Sequence, residues 1–413
     1  MHSKVLSLIS IGAILAFPCL ANAYGSVRSV AVTPDSLMVV SGSDDNTIGL
    51  WRIADGQLLR TFDGHTRPVR GVAVTGDGQT ILSGSEDNTI KIWRLATGEL
   101  VRTLMGHTSG VFAVALAPDS KTLASGGGDN TVRIWRLSDG ELLRTLPIPG
   151  SGDAGHAWEV LTVAWTPDGQ TIVSGGNDHA IKVWSFSDGR LLRTLNGHTA
   201  PVRSVCVTPD GQMVISGSCD NTIRVWRLAT GELVRTLIGF SSFVNSVTVT
   251  PDGQTIVSGN HGRAVISSSL RSGLPSRTFK GRHAGAVNSV ATSPDGQTIV
   301  SGSDDGTIKV WRISNGQLLR TFGDAQLGGY ERGTVISYAD YERIQIGMSY
   351  SQVVEVLSGR YGQEVGRSRF EGVPGVAASV QTVMYQWQNT DGSNIIAVFQ
   401  NDRLTEKAQA GLQ

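Results

Sequence analysis

The sequence predicts an all-β, seven-bladed β-propeller followed by a small α+β domain. Three observations predict it. Trp51, Trp93 and Trp135 lie 42 residues apart, Trp184 follows after 49, Trp226 after another 42, Ser268 stands at the next step and Trp311 closes the series. That period falls in the ~40–45 residues of one four-stranded propeller blade. Each copy also contains four short β-branched runs separated by Gly/Asp turns, the pattern of an antiparallel meander. Beyond Phe322 the pattern stops, and a Gly-rich stretch leads into a chain of different periodicity.

Within one copy the elements follow in order. Val69–Val74 is an alternating run that ends in the turn Gly76-Asp77-Gly78, and a second run ends at Ser83-Gly84-Ser85. A polar turn leads into Thr89–Leu95, and Thr97-Gly98 turns the chain into Leu100–Leu104. A sheet of four such strands would be wet on both faces, so seven of them must pack face to face around an axis. Four polar positions keep register with the Trp: His65, Ser83, Asp87 and Trp93. The set repeats as His107/Ser125/Asp129/Trp135, His156/Ser174/Asp178/Trp184, His198/Ser216/Asp220/Trp226 and His283/Ser301/Asp305/Trp311.

The run SGSEDNTIKIW at 83–93, then RTL at 102–104 and Gly106-His107, resembles the WD40 repeat family, and the resemblance covers residues 26–322. One departure is general: the Asp that usually follows the Trp is Arg52, Arg94, Arg136, Arg227 or Arg312, or else Ser185. The resemblance implies that each His/Ser/Asp/Trp set is a buried hydrogen-bonded tetrad tying the inner strands together. Burial strengthens such a network when every member is paired and penalises it otherwise.

In chain order, residues 1–23 read as a secretory signal peptide: Lys4, the apolar run Val5–Phe17, and Ala21-Asn22-Ala23 before a cleavage point. A run of thirteen residues is too short to span a bilayer as a helix, which needs ~20. The expectation is a secreted or periplasmic protein cleaved after Ala23, with no membrane span. The propeller is expected over 24–322, a linker over 323–340 and the small domain over 341–413. Thirty-five basic and thirty-five acidic residues give no basic stripe for a nucleic-acid partner. Downstream of the leader only Cys206 and Cys219 remain. One is late in a first strand and the other in the turn after the second, about 16 Å apart at ~3.3 Å per residue. A disulfide needs Cα atoms within about 7 Å, so both thiols are expected free.

Every copy has its own outer strand, from Gln57–Phe62 to Gln317–Phe322. With none left over, closure should rest on packing between first and last blades. Two departures from the repeat stand out. Pro147 to Asp153 inserts seven residues ahead of Gly155-His156, and the sixth copy has Phe240, Gly262 and Ser268 in place of His, Asp and Trp. The first copy places Ala23 at its His position.

In the last 73 residues, Ser349 and Gln352 form a capping-box pattern ahead of Val353, Val354, Val356 and Leu357. Glu364–Phe370, Ser379–Gln388 and Asn394–Gln400 alternate like strands, with Asp391-Gly392 as a hairpin signal between the last two. IGMSYSQVVEVL at 346–357, YQW at 385–387 and AVFQNDRL at 397–404 resemble the small envelope domains typified by outer-membrane assembly lipoproteins and β-lactamase inhibitor protein. That resemblance implies a role in envelope assembly or in inhibiting a secreted enzyme. The inhibitor protein carries two such units and this chain one.

Repeated His, Ser and Asp invite a catalytic reading, but five copies at one spacing mark scaffold, and no enzyme is expected. Gly150 to Gly155 matches GxGxxG, yet the dinucleotide fingerprint needs a strand before it and a helix after it; here it joins two strands, and no cofactor is expected. His179 and His261 lie in turns of non-adjacent blades without a third ligand, so no metal is expected either. Binding to a protein partner is therefore the expected function. The candidate surface is where the chain breaks its own repeat, because variable loops on a constant scaffold carry function. Trp158 takes the position of Arg67, Ser109 and Ala200; Phe243 takes that of Pro68 and Pro201; Phe240, His261 and Arg263 replace the usual residues of the sixth copy. Trp165 aligns with Val74 and reads as core. Strand directions alternate, so these loops should all emerge on one face, in the sector of blades four to six.

Overall fold

The computed structural model describes residues 25–147, 150 and 152–323, then 341–342, 344–349, 352–353, 363–370, 380–388, 394–401 and 403–410. The chain divides into two compact units, 1–328 and 329–413. The expected leader and most of the expected linker lie outside the described residues.

The first unit is a seven-bladed propeller. Blade one pairs Val27–Val32, Met38–Ser43, Ile48–Arg52 and Leu58–Phe62 antiparallel in chain order. The same meander recurs at 69–105, 111–146, 160–195, 202–237, 244–278 and 287–323. In every blade the register of third and outer strand shifts beside the Trp position, as between Leu50 and Trp51. Such bulges bend a strand and raise its twist, which lets neighbouring sheets fan around an axis.

Blades pack because one side of each interface has no side chain. Gly42, Gly84, Gly126, Gly175, Gly217, Gly259 and Gly302 lie on the second strands. A Cβ at Gly42 would come within 2.7 Å of Val69 Cγ1, and one at Gly259 within 2.5 Å of Val287 Cγ1. Gly302 approaches Val27 in the same way. The seventh blade thus meets the first as any blade meets the next.

Two sets of hydrogen bonds reinforce this contact. Hydroxyls on the first strands accept backbone N–H groups of the following blade: Ser29 from Val72, Thr162 from Val205, Ser204 from Val247, Ser246 from Val290, and Ser289 from Val30 across the closure. They satisfy donors that the inner edge of each sheet would otherwise leave unpaired. On the outer strands, the Arg of the RT motif donates to carbonyls in the next blade's turn. Arg60 reaches Thr97 at 2.8 Å, Arg144 reaches Ser187 at 2.7 Å, Arg235 reaches Ser272 at 2.8 Å and Arg320 reaches Ala54 at 3.0 Å. No strand is exchanged between the first and last blades; each supplies its own four.

Blade six departs most from the repeat. Its outer strand is only Pro275–Thr278, and the hydroxyl of Ser268, buried where the other blades hold Trp, has no hydrogen-bond partner among the described residues. Phe240 fills the His position and packs with Ile223, Val225, Val244 and Val247. In blade five Cys206 and Cys219 are free thiols, and burial pushes the Cys206 thiol up to about 12.

The second unit holds a four-stranded antiparallel sheet: Gln363–Phe370, Val380–Gln388, Asn394–Gln400 and Arg403–Ala410, in chain order. Arg403–Ala410 is a fourth strand beyond the three expected. Ile395, Ala397 and Phe399 alternate onto one face and pack with Leu404, Ile344 and Val353. The capping box forms: Gln352 Oε1 accepts the Ser349 N–H at 2.9 Å, and Ser349 Oγ accepts the Gln352 N–H at 3.3 Å. Val354, Val356, Leu357 and Asp391-Gly392 lie outside the described residues.

Candidate functional site

The polar sets form one continuous chain of hydrogen bonds in four blades. In blade two, Trp93 Nε1 donates to Ser83 Oγ at 2.9 Å, Ser83 meets His65 Nε2 at 2.7 Å, and His65 Nδ1 meets Asp87 at 2.7 Å. Blade three repeats this with Trp135, Ser125, His107 and Asp129. Blade four does so with Trp184, Ser174, His156 and Asp178, and blade five with Trp226, Ser216, His198 and Asp220. Blade one retains Trp51 on Ser41 at 2.8 Å.

Blade seven departs from the expected set. His283 still links Ser301 at 2.6 Å and Asp305 at 3.1 Å, but Trp311 donates to the carbonyl of Lys280 at 3.0 Å. The connection from Phe279 to His283 is one residue longer than that from Leu237 to Phe240, and it brings this carbonyl to the indole.

Electrostatics favour one protonation state in the sets of blades two, five and seven. Burial pushes His65, His198 and His283 below the ordinary imidazole range, against the opposing pull of Asp87, Asp220 and Asp305. Burial also pushes Asp87 and Asp220 up, but hydrogen bonds from Thr89 and His65, and from Thr222 and His198, outweigh it and hold both below the carboxylate range. In blades two and five, neutral imidazole with ionised carboxylate sets the directions: Nδ1–H donates to the Asp, Nε2 accepts the Ser hydroxyl, and that oxygen accepts the indole N–H. Ser, His and Asp are linked here as in a nucleophilic triad. Yet Ser83, Ser125, Ser174 and Ser216 are 0% exposed, so no substrate reaches the hydroxyls. Among the described residues no group of His, Cys, Asp and Glu could hold a metal ion.

The connections after outer strands and the turns between second and third strands do share one face. In each blade a backbone N–H of the turn bonds a carbonyl of the connection: Asn177 to Glu159, Cys219 to Pro201 and His261 to Phe243, at 2.9–3.0 Å. On this face Trp158 is 56% exposed and lies edge-on to His179, with centroids 6.3 Å apart. Phe243 is 44% exposed and tilts against His261 at 5.8 Å. Arg263 is exposed, in the left-handed conformation at φ 69°. Phe240 does not belong with them. It is 8% exposed, because an apolar ring in the His position is drawn into the packing of blades five and six. Trp165 is buried as expected, its indole donating to the carbonyl of Ala115 at 3.0 Å.

The centre of the disc shows an arrangement that the sequence reading missed. Arg28, Arg70, Phe112, Leu161, Arg203, Asn245 and Asn288, one from each blade, line a central depression of about 390 Å³. Arg28 pairs with Asp44 at 2.7 Å and with Asp304 at 2.8 Å, and Arg70 with Glu86 at 2.6 Å. The signal that could have revealed it was a basic and an acidic residue sixteen apart within one copy.

Seven four-stranded blades, four of them tied by complete His/Ser/Asp/Trp networks, define a WD-type propeller, a class that serves protein–protein interaction. The family model for the WD domain, G-beta repeat, matches residues 17–52, 56–94, 98–136, 140–185, 189–227, 231–266 and 273–312, and the chain belongs to the WD40 repeat family. Residues 337–413 match the family model of the β-lactamase inhibitor (BLIP). No curated protein matches the chain.

Proposed function

We propose that this protein is an extracytoplasmic scaffold that holds a protein partner on the loop face of blades four to six. The observation that carries the reading is the exposure of Trp158 and Phe243, each beside a histidine, at connection positions where other blades carry Arg67, Ser109 and Ala200, or Pro68 and Pro201. Large aromatics rigidified before binding are the usual interface anchors. Placement outside the cytoplasm rests on the leader pattern of residues 1–23 alone; the first WD match begins at residue 17, inside that stretch. Among the described residues no helix is long and apolar enough to cross a membrane. The test is affinity capture with the protein cleaved after Ala23 as bait. A specific partner should be retained by the native protein and lost from the Trp158→Ala/Phe243→Ala variant. A partner held equally by both would remove the loop face from the proposal.

A second reading is favoured by the inhibitor match at 337–413. The C-terminal unit would then inhibit a secreted enzyme, with a β-lactamase as the first to try. Hydrolysis of a chromogenic cephalosporin, followed with and without the protein, decides it. Undiminished turnover at saturating protein removes that enzyme, and capture of envelope assembly factors would redirect the reading to assembly.

A further inference from the structure

Two register positions, sixteen residues apart, meet at the mouth of the central depression. On the first strand they are Arg28, Arg70 and Arg203 in blades one, two and five. In the turn they are Asp44, Glu86 and Cys219 in the same blades. Blades one and two close the pair as Arg28–Asp44 and Arg70–Glu86. In blade five the arginine is kept and the carboxylate is gone. Arg203 is exposed, and among the described residues its Nε reaches only the Cys219 sulfur, at 3.2 Å.

The deficit of negative charge extends around the arc. In blades three to six the turn position is Gly128, Asn177, Cys219 or His261, never an acid, whereas blades seven, one and two carry Asp304, Asp44 and Glu86. Glu159, the carboxylate beside Trp158, already accepts a hydrogen bond from Asn177 at 2.9 Å. Asp178 and Asp220 are engaged by their histidines. Arg263 and Arg282 are exposed and take part in no ion pair among the described residues. The acid-poor arc is also the one that carries Trp158 and Phe243.

We propose that this arc binds an acidic peptide segment of a partner protein. The segment's carboxylate takes on Arg203 the place that Asp44 and Glu86 hold on Arg28 and Arg70, and its adjacent apolar side chain lies against Trp158 or Phe243. The inference rests on the loop-face reading above and adds the partner's chemistry. Arginine–carboxylate pairing supplies a directed, charge-assisted contact, and the protein shows at two of its own blades that the position accepts one. Equal numbers of basic and acidic residues over the chain give no basic stripe and disfavour nucleic acid.

The experiment is selection of a random twelve-residue peptide library on the purified full protein, followed by fluorescence anisotropy of labelled copies of the enriched peptides. Asp or Glu beside an aromatic or aliphatic residue should be enriched. Cys219→Asp, which rebuilds the pair of blade one, should weaken binding about tenfold or more with an unchanged melt, and Arg203→Gln should do the same. Arg67→Gln, a cation of the same face outside the arc, should leave binding within about twofold. Enriched peptides that are neutral or basic, or full affinity in Cys219→Asp, overturn the acidic assignment. If those neutral peptides are still lost on Trp158→Ala, the loop-face reading survives that result. No binders, or binders indifferent to both Trp158→Ala and Arg203→Gln, overturn both. Tighter binding of a single-stranded oligonucleotide, or self-association that depends on Arg203, overturns the inference in favour of nucleic acid or a second copy.

Discussion

Trp311 gives its indole N–H to the backbone carbonyl of Lys280 at 3.0 Å, while Ser301, ten residues before it, bonds only to His283 among the side chains. In blade three the equivalent indole, Trp135, ends on a serine hydroxyl that is sealed from solvent. The two acceptors respond differently to loss of the donor. The Lys280 carbonyl belongs to an exposed residue and can turn to water. Ser125 cannot.

Replacing the indole by a ring without the N–H therefore separates the two blades. Trp135→Phe should cost about 1–3 kcal/mol, because the sealed Ser125 oxygen loses a donor that water cannot replace although His107 remains its partner, and Trp311→Phe about 0.5–1.5 kcal/mol, that of an ordinary net hydrogen bond. Trp135→Ala should cost ~3–5 kcal/mol, since the ring leaves as well. Urea unfolding of the three variants measures this. Equal losses in Trp135→Phe and Trp311→Phe would contradict the distinction.

Much of this was readable before any coordinates, because a repeat measures itself seven times over. The Trp spacing and the Gly/Asp turns located all twenty-eight propeller strands. What escaped were relations between copies. The glycine of the SG pair looks like a turn residue within one copy, and its role appears only when Val69 of the next blade is beside Gly42. The Arg of the RT motif likewise finds its acceptor in another blade. The sequence leaves Phe240 open between an interface ring and repacking of the lost tetrad, because a ring in a connection gives no sign of which way it points. The interior of blades five and six decided that.

The outer arginines predict how the ring comes apart. Arg320 to Ala54 bridges blade seven to blade one, yet those residues are 266 apart in sequence. Arg320→Ala should lower stability by about 1 kcal/mol, the scale of one exposed charge-assisted hydrogen bond. Hydrogen exchange should rise in blades one and seven before the others. If the change is spread evenly around the disc, the bond is not part of the closure.

Acid should weaken the propeller in two stages. The imidazoles of His65, His198 and His283 are held below their ordinary value in the fold. The unfolded chain therefore binds protons at about pH 6.5 that the folded chain refuses. Their contribution is complete above that pH and is lost as the pH falls below it. Asp87, Asp129, Asp178, Asp220 and Asp305 are also held down. Their contribution is present above about pH 4 and fades below it. Calorimetric Tm should fall from pH 7.5 to 5.5 and fall further below pH 4. A Tm that rises on acidification to pH 5.5 would reverse the assigned protonation, and NMR titration of the imidazoles would locate the error.

Phe240 and Phe243 lie three residues apart in one connection and should behave as different kinds of residue. Phe240 packs among Ile223, Val225, Val244 and Val247 at 8% exposure, so Phe240→Ala creates a cavity and should cost ~3–5 kcal/mol. Phe243 is 44% exposed and tilts against His261. Phe243→Ala should change stability by less than about 1 kcal/mol, the worth of one exposed ring pair, and Trp158→Ala should do the same. Arg67→Ala with Ser109→Ala, the counterparts of Trp158 in blades two and three, should be neutral for stability and for binding alike. Loss of binding in Trp158→Ala/Phe243→Ala without loss of stability then assigns those rings to the interface. A fall of several degrees in Tm for Phe243→Ala would assign that ring to the core beside Phe240, and Trp158 would be left to hold a partner alone.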